Sequence, residues 1–160
     1  MQQLDESTGR SARPVVAGMM AVAGALLLFA LLFTDFSDLA ASDPAQLPWG
    51  LMLRYMVAMA IGGALAGSLL AGLFGRSGLS GWLLALIGGL IASIVAGVVG
   101  SFIGQLPDLI SGGWQTGMSV AIASGALVLP LALFGWPHLV VVWAAIVAGT
   151  HLWVRRRRAG

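Results

Sequence analysis

Long apolar runs separated by short polar stretches divide the chain into hydrophobic segments. The first three runs cover residues 14–33, 49–74 and 82–106. Each is long enough to form a helix that crosses a bilayer, which requires about 20 apolar residues. None of them alternates strictly between apolar and polar positions, as the strands of a membrane barrel do. The pattern therefore predicts an all-α fold, a polytopic bundle of membrane helices.

The final apolar stretch, residues 114–154, contains no charged residue over 41 positions. A single straight helix of that length would measure about 60 Å, twice the thickness of the hydrocarbon layer. The sequence Gly-Trp-Pro-His at positions 135–138 interrupts it, and proline kinks or breaks a helix interior. We therefore predict two segments here, about 115–134 and 138–154, and five hydrophobic segments in total. The alternative is four spans with a broken or re-entrant last element.

Polar stretches at the two ends of the chain set the predicted domain boundaries. Residues 1–13 are expected to form a polar N-terminal tail, 14–154 a single transmembrane helical domain, and 155–160 a basic C-terminal tail. The first apolar run is longer than the apolar region of a cleavable signal peptide, about 7–15 residues, so we expect a retained span. We also expect the third segment to end at Pro107 and Asp108 to lie in the following loop.

The composition agrees with a membrane location. Hydrophobic residues make up 59% of the chain and charged residues 9%, whereas soluble proteins contain about 25% charged residues. The absence of cysteine excludes disulfides, thiolate metal sites and cysteine nucleophiles. All eight basic residues are arginine, and the chain is rich in alanine and glycine. From this composition we expect a bacterial inner-membrane protein.

The distribution of arginine bears on orientation, because arginine and lysine near the ends of spans favour the cytoplasmic side. With four spans and both termini inside, seven arginines lie inside and only Arg54 lies near the outer face. Five spans would place five arginines inside and three outside. Segment length and the tryptophans at segment ends favour five spans, whereas the arginine distribution favours four. Both alternatives place the C-terminus in the cytoplasm.

Small residues recur at every fourth position of the apolar runs, although each glycine costs a water-soluble helix about 1 kcal/mol relative to alanine. Positions four apart share a helix face, and in a bilayer small residues allow helix backbones to approach closely. Three such rows are Gly81, Ala85, Gly89, Ser93, Gly97 and Ser101; then Gly88, Ala92, Ala96, Gly100 and Gly104; then Gly63, Gly67, Ala71 and Gly75. We expect the third segment, which carries the first two rows, to be central with neighbours on two sides. The alternatives are that one row faces a second copy of the chain or another membrane protein, or that the glycines line a pore.

Ionisable side chains, which usually mark catalysis and transport within a membrane, are nearly absent from the predicted spans. All six acidic residues are expected in the N-terminal tail or in loops. The sequence contains no catalytic triad, zinc-protease or phosphate-loop pattern. We therefore expect no enzymatic activity, no catalytic residue, no metal and no cofactor.

Arginines supply the candidate contacts to lipids or anions. Arg54 lies five residues after Trp49, about 7 Å along a helix, so its side chain could extend to the lipid headgroups. The alternatives for Arg54 are an ion pair with a loop aspartate and a bound anionic lipid. A basic cluster follows the last segment and would anchor the topology or bind anionic lipids: Arg155, Arg156, Arg157 and Arg158.

The two histidines, His138 and His151, are 13 residues apart on one predicted segment. That separation corresponds to about 20 Å along a helix, too far for both side chains to ligate one metal ion. We interpret them as polar residues at the membrane interface. The alternative is that equivalent histidines pair in a symmetric dimer.

Residues 62–135 carry a rhythm of glycines that is similar to that of a known family. The pieces are GGALAGSLLAGLFG, GRSGLSG, ALIGGLIASIVAGVVG and AIASGALVLPLALF. They resemble the small glycine-rich membrane proteins called transglycosylase-associated (GlsB/YeaQ/YmgE-like), which have three short spans. The resemblance implies a membrane protein linked to envelope stress and transfers no catalytic residue. The first and last segments of this chain depart from that family's pattern.

These features predict a small integral membrane protein with a structural or accessory role through glycine-mediated helix packing. Its expected partners are membrane lipids and either a second copy of the chain or another membrane protein. We expect no nucleic-acid partner, because no basic patch is interleaved with aromatic residues. The alternative is a small transporter or channel subunit. That alternative requires a polar cavity, for which the candidates are Ser93, Ser101, Arg54 and Gln105.

Overall fold

The computed structural model describes the backbone of residues 2–35 and 48–159, and the side chains of residues 12–32, 48–128 and 130–158. Within these ranges the regular structure consists of five α-helices and one short 3-10 helix. The α-helices are α1 (Gln2–Asp35), α2 (Trp49–Leu70), α3 (Gly78–Gly112), α4 (Thr116–Gly135) and α5 (Pro137–Ala159). The 3-10 helix, Ala71–Leu73, extends α2 toward the turn that leads into α3.

The described helices confirm the predicted all-α membrane bundle, and each predicted hydrophobic segment forms a helix. Among the described residues, four stretches are long and apolar enough to cross a membrane: Ala12–Leu32, Trp49–Leu73, Gly78–Gly112 and Pro137–Arg158. The remaining helix, α4, contains a shorter apolar stretch, Thr116–Val128. By length and composition, the chain is therefore a multi-pass membrane protein.

The helices extend beyond the predicted segments at both ends of the chain. Residues 2–13, predicted as a polar tail, form the first turns of α1. At the other end, α5 continues through the predicted basic tail to Ala159. The acidic residues Asp38 and Asp43, predicted in a loop, lie outside the described residues. The division of the chain into two tails and one domain stays a prediction.

The prediction that the third segment ends at Pro107 is wrong. α3 continues through Pro107 to Gly112, and Gly113 follows with a φ of 72°, a conformation that favours glycine. Proline removes one hydrogen bond to the preceding turn, and membrane helices tolerate this loss where neighbouring groups compensate for it. Asp108 consequently lies on α3 and not in the predicted loop.

A tight turn joins α2 to α3 at the glycine-serine sequence around Arg76. Gly75 and Gly78 have φ angles of 77° and 80°, which glycine adopts without steric cost. Phe74, which precedes the turn, is fully buried in a cluster that also contains Val16 of α1 and Val154 of α5. The first and last helices therefore both pack against the turn.

α3 lies at the centre of the bundle, and one of its two faces packs closely against α2. A Cβ atom added to Gly62 of α2 would lie 2.6 Å from the carbonyl oxygen of Ala96. A Cβ atom on Gly100 of α3 would lie 2.6 Å from the sulfur of Met59. Such separations are shorter than real Cβ contacts, so the missing side chains are what permits this approach.

The other face of α3 is shared by α4 and α5 in succession. Gly97 packs against the main chain of Gly125 in α4. One turn toward the start of α3, Ser93 accepts a hydrogen bond from Nε1 of Trp143 in α5 at 3.1 Å. α5 then runs on to the turn between α2 and α3. Between them, α4 and α5 therefore follow the length of α3 once, which corresponds to the alternative of four spans with a broken last element.

This path brings the beginning of the apolar part of α1 and the last turns of α5 to one end of the bundle. Ala12 of α1, Phe74 of the turn and Val154 of α5 belong to one buried cluster. We call this end the basic end, because the following arginines adjoin that cluster in the sequence: Arg13, Arg76, Arg155, Arg156, Arg157 and Arg158. The opposite end, where α2 begins and α3 ends, is called the Arg54 end.

Candidate functional site

An ion pair between α2 and α3 forms the first candidate site, at the Arg54 end. Nη2 of Arg54 binds Oδ2 of Asp108, and Nε of Arg54 donates a hydrogen bond to the carbonyl oxygen of Gly104 at 2.5 Å. The guanidinium carbon lies 5.6 Å from the centre of the Tyr55 ring, within cation–π distance. The two charged side chains are 26% and 55% exposed, so the pair is partly open to the surroundings.

The local sequence explains how this site forms. Gly104 and Asp108 are one helical turn apart, so they share a face of α3 and both reach Arg54. The ring of Tyr55 occupies the space that a side chain at Gly104 would fill. The continuation of α3 past Pro107 is what brings the carboxylate to the arginine. Of the interpretations offered for Arg54, the structure shows the ion pair, with an aspartate on a helix.

An apolar cavity of about 340 Å³ lies beside this ion pair, between α1, α2, α3 and α4. Its wall includes Leu28, Met52 and Val128. Tyr55 and Ser101 supply polar atoms among the described lining residues. A cavity with so few polar groups is suited to an apolar chain such as the acyl chain of a lipid.

A buried histidine forms the second candidate site, at the basic end. His151 of α5 is 0% exposed, and its Nδ1 accepts a hydrogen bond from the backbone N–H of Gly75 at 3.2 Å. The centre of its ring lies 4.5 Å from that of Trp82 in α3. Because Nδ1 accepts, a neutral imidazole carries its proton on Nε2. That atom has no hydrogen-bond partner in the described part of the chain.

The structure separates the two histidines, which the sequence analysis interpreted alike as polar residues at the membrane interface. His138 is exposed at the start of α5, with its ring 5.7 Å from that of Trp136. His151 is instead enclosed by the bundle. A sequence signal for this burial exists, because Val147, Thr150, His151 and Val154 are spaced as one helix face, and all four are buried.

A third polar contact lies midway along α3, and both of its hydrogen-bond donors have an acceptor. The indole N–H of Trp143 donates to Oγ of Ser93 at 3.1 Å, and the Ser93 hydroxyl donates to the carbonyl oxygen of Gly89 at 2.9 Å. This contact joins α5 to the centre of the bundle. Ser93 and Arg54, two candidates for a polar transport cavity, are therefore engaged at different places along α3.

The predicted packing residues all lie where another part of the chain comes close. A Cβ atom on any of the nine glycines would lie within 3.1 Å of a neighbouring segment. Gly63 and Gly67 face Met20; Gly75 faces Val154; Gly81 faces Arg76; Gly88 faces Leu73; Gly89 faces Val147; Gly97 faces Gly125; Gly100 faces Met59; Gly104 faces Tyr55. Among the described glycines, two more with equally close contacts were missed by the sequence reasoning: Gly24 and Gly62. The adjacent pair Gly62 and Gly63 faces α3 and α1 respectively.

The four C-terminal arginines divide between two sides of α5, because consecutive helix positions are rotated by about 100°. Arg155 and Arg158 follow the buried face of His151 and Val154, and Nε of Arg158 is buried without a hydrogen-bond partner in the described residues. Arg156 and Arg157 follow the exposed face, where the Arg157 guanidinium carbon lies 5.8 Å from the centre of the Trp153 ring.

The described residues contain no group of three or more histidine, cysteine or acidic side chains placed to hold a metal ion. The resemblance of residues 62–135 to the transglycosylase-associated family stays a prediction. Comparison of the chain with family models, with curated proteins and with solved structures gives no match.

Proposed function

We propose that this membrane protein is a structural or accessory component of a bacterial inner membrane, with no enzymatic step of its own. The observation that carries the proposal is the close backbone packing on both faces of α3. Gly62 lies against the main chain of Ala96, and Gly97 lies against that of Gly125. Contacts between backbones hold membrane helices in one relative position. A bundle built in this way is suited to act as a rigid scaffold.

The proposed orientation places the basic end in the cytoplasm. Six described arginines adjoin that end, and Arg54 is paired with Asp108 at the other. Positive charge near the ends of spans is retained on the cytoplasmic side. Both termini and the turn around Arg76 would then be cytoplasmic, and the ion pair would face outward.

The outer face of α4 is the proposed contact surface for a second protein. α4 packs mainly on α3. Its large apolar residues Val120, Leu127, Leu131 and Phe134 are between 56% and 89% exposed. Gly117 and Ala123 are also exposed there, and small residues allow a neighbouring helix to approach. The proposed partner is a second copy of this chain.

Cysteine cross-linking in native membranes tests this proposal, since the chain contains no cysteine of its own. Val120→Cys and Leu127→Cys would be oxidised or treated with a bifunctional maleimide, with the exposed α2 position Val57→Cys as matched control. We expect dimers of the chain from the two α4 variants and a weaker signal from the control. If the α4 variants cross-link only to other proteins, the partner at this surface is a different protein and not a second copy of the chain. Equal yields from all three positions would overturn the proposed α4 surface.

A further inference from the structure

A groove lies on the outer face of α5 at the basic end of the bundle. Gly149, Leu152, Trp153, Arg156 and Arg157 line an open space of about 530 Å³. These positions are three or four residues apart, so they share one face of the helix. The groove is therefore apolar on the side toward the middle of α5 and cationic on the side toward its C-terminal end.

Gly149 provides the opening of this groove. A Cβ atom added to Gly149 would meet nothing within 4 Å, so the space next to it is open. Leu152 and Trp153, one turn further along, are 42% and 50% exposed and form the apolar wall. Tryptophan is enriched at the level of the lipid headgroups, which places the groove across the boundary between hydrocarbon and water.

Because of the helix geometry, only two of the four C-terminal arginines lie on the face that forms the groove. Arg156 and Arg157 line it, and the guanidinium of Arg157 lies over the Trp153 ring. Arg155 and Arg158 do not line it, and they follow the face that carries the buried His151. Two guanidinium groups beside an apolar wall match the phosphate and the acyl chain of a phospholipid.

We propose that this groove binds one anionic phospholipid from the surrounding membrane. The guanidinium groups of Arg156 and Arg157 bind the phosphate of a headgroup that carries no compensating positive charge, while an acyl chain lies along Leu152 in the space left by Gly149. A free phosphate ion would use the cationic half alone. The apolar half of the groove is the reason for assigning a lipid.

Native mass spectrometry of the full chain in mild detergent, with phosphatidylglycerol or phosphatidylcholine of the same acyl chains, tests the proposal. The double variant Arg156→Gln/Arg157→Gln removes the groove charges. The matched control, Arg155→Gln/Arg158→Gln, removes the same charge from the same helix end. Gly149→Leu fills the groove without changing the charge, and Gly72→Leu, where a Cβ atom also meets nothing within 4 Å, controls for the added side chain.

We expect wild type to bind phosphatidylglycerol at one site with preference over phosphatidylcholine. The groove double variant should bind about 30-fold more weakly, since each basic residue near a membrane surface contributes roughly a factor of five. Gly149→Leu should also lose the site, whereas both control proteins should retain it. If both double variants lose the same amount of lipid affinity, the lipid is attracted to the basic helix end in general and not to this groove, and the proposal is overturned. Unchanged binding by Gly149→Leu, or equal binding of the two lipids by wild type, would overturn it as well.

Discussion

His151 and Gly75, 76 positions apart in the chain, are joined by a hydrogen bond at the basic end of the bundle. Gly75 meets two requirements there. Its φ of 77° favours glycine, and a Cβ atom would lie 2.5 Å from Cγ1 of Val154. The ring of His151 also packs on Trp82. One side chain thus links α5 both to the turn and to the start of α3.

Replacement of His151 by phenylalanine tests the contribution of this hydrogen bond. The variant keeps an aromatic ring beside Trp82 but removes the acceptor for the buried N–H of Gly75. We expect the free energy of unfolding to fall by about 1–3 kcal/mol, the cost of an unsatisfied buried donor. Unfolding in detergent, followed by circular dichroism, measures this change. The exposed His138→Phe variant is the control, and equal stability of the two variants would contradict the prediction.

The ion pair of Arg54 and Asp108 is expected to contribute little by itself, because both side chains are partly exposed. A double-mutant cycle with Arg54→Gln and Asp108→Asn should give a coupling energy of about 0.2–1 kcal/mol. The coupling should shrink in 1 M salt, where screening is strong. Arg54→Gln alone should cost more than Asp108→Asn, because it also removes the hydrogen bond to Gly104. Equal effects of the two single variants would show that the Gly104 bond contributes nothing.

Gly97→Ala is expected to destabilise the bundle, because the new methyl group would overlap the carbonyl of Gly125 and force α3 and α4 apart. Overpacking of this kind costs about 1–3 kcal/mol or more. The matched substitution Gly117→Ala adds a methyl group where nothing lies within 4 Å, and it should leave stability unchanged or raise it. Thermal unfolding of both variants beside wild type measures the difference. If wild type is oligomeric and Gly97→Leu is a folded monomer, the face of α3 that carries Gly97 would instead contact a second copy of the chain.

The path of α4 and α5 predicts that the turn around Arg76 and the C-terminus lie on the same side of the membrane. Ser77 and Ser111 are exposed at opposite ends of α3, and the chain has no native cysteine. A membrane-impermeant maleimide should label Ser111→Cys in intact cells and Ser77→Cys only in inverted vesicles. A reporter fused to the C-terminus should behave as cytoplasmic. Labelling of Ser77→Cys from outside, with a cytoplasmic C-terminus, would indicate five crossings.

The tertiary structure overruled a local signal at the first candidate site, and at the second it supplied a partner that no local signal indicates. Pro107 is a local stop signal, yet α3 continues past it, and Asp108 thereby reaches Arg54, 54 positions away. His151 follows an apolar spacing that is readable in the sequence. The spacing does not indicate that the hydrogen-bond partner of His151 is the N–H of Gly75. Any residue can supply a backbone N–H, so the partner depends on which turn of the chain packs against α5.

The sequence by itself determined which segments enter the membrane, since apolar length and the absence of alternation are local properties of the chain. It also indicated that the third segment could approach neighbours on two faces, through the rows that contain Gly97 and Gly100. Only the tertiary structure decided which helix covers each row, and that α4 and α5 share one of them. The physical reason is that lipid is as apolar as the interior of the bundle. Hydrophobicity therefore places a helix in the membrane, but it does not determine which face of the helix contacts protein and which contacts lipid.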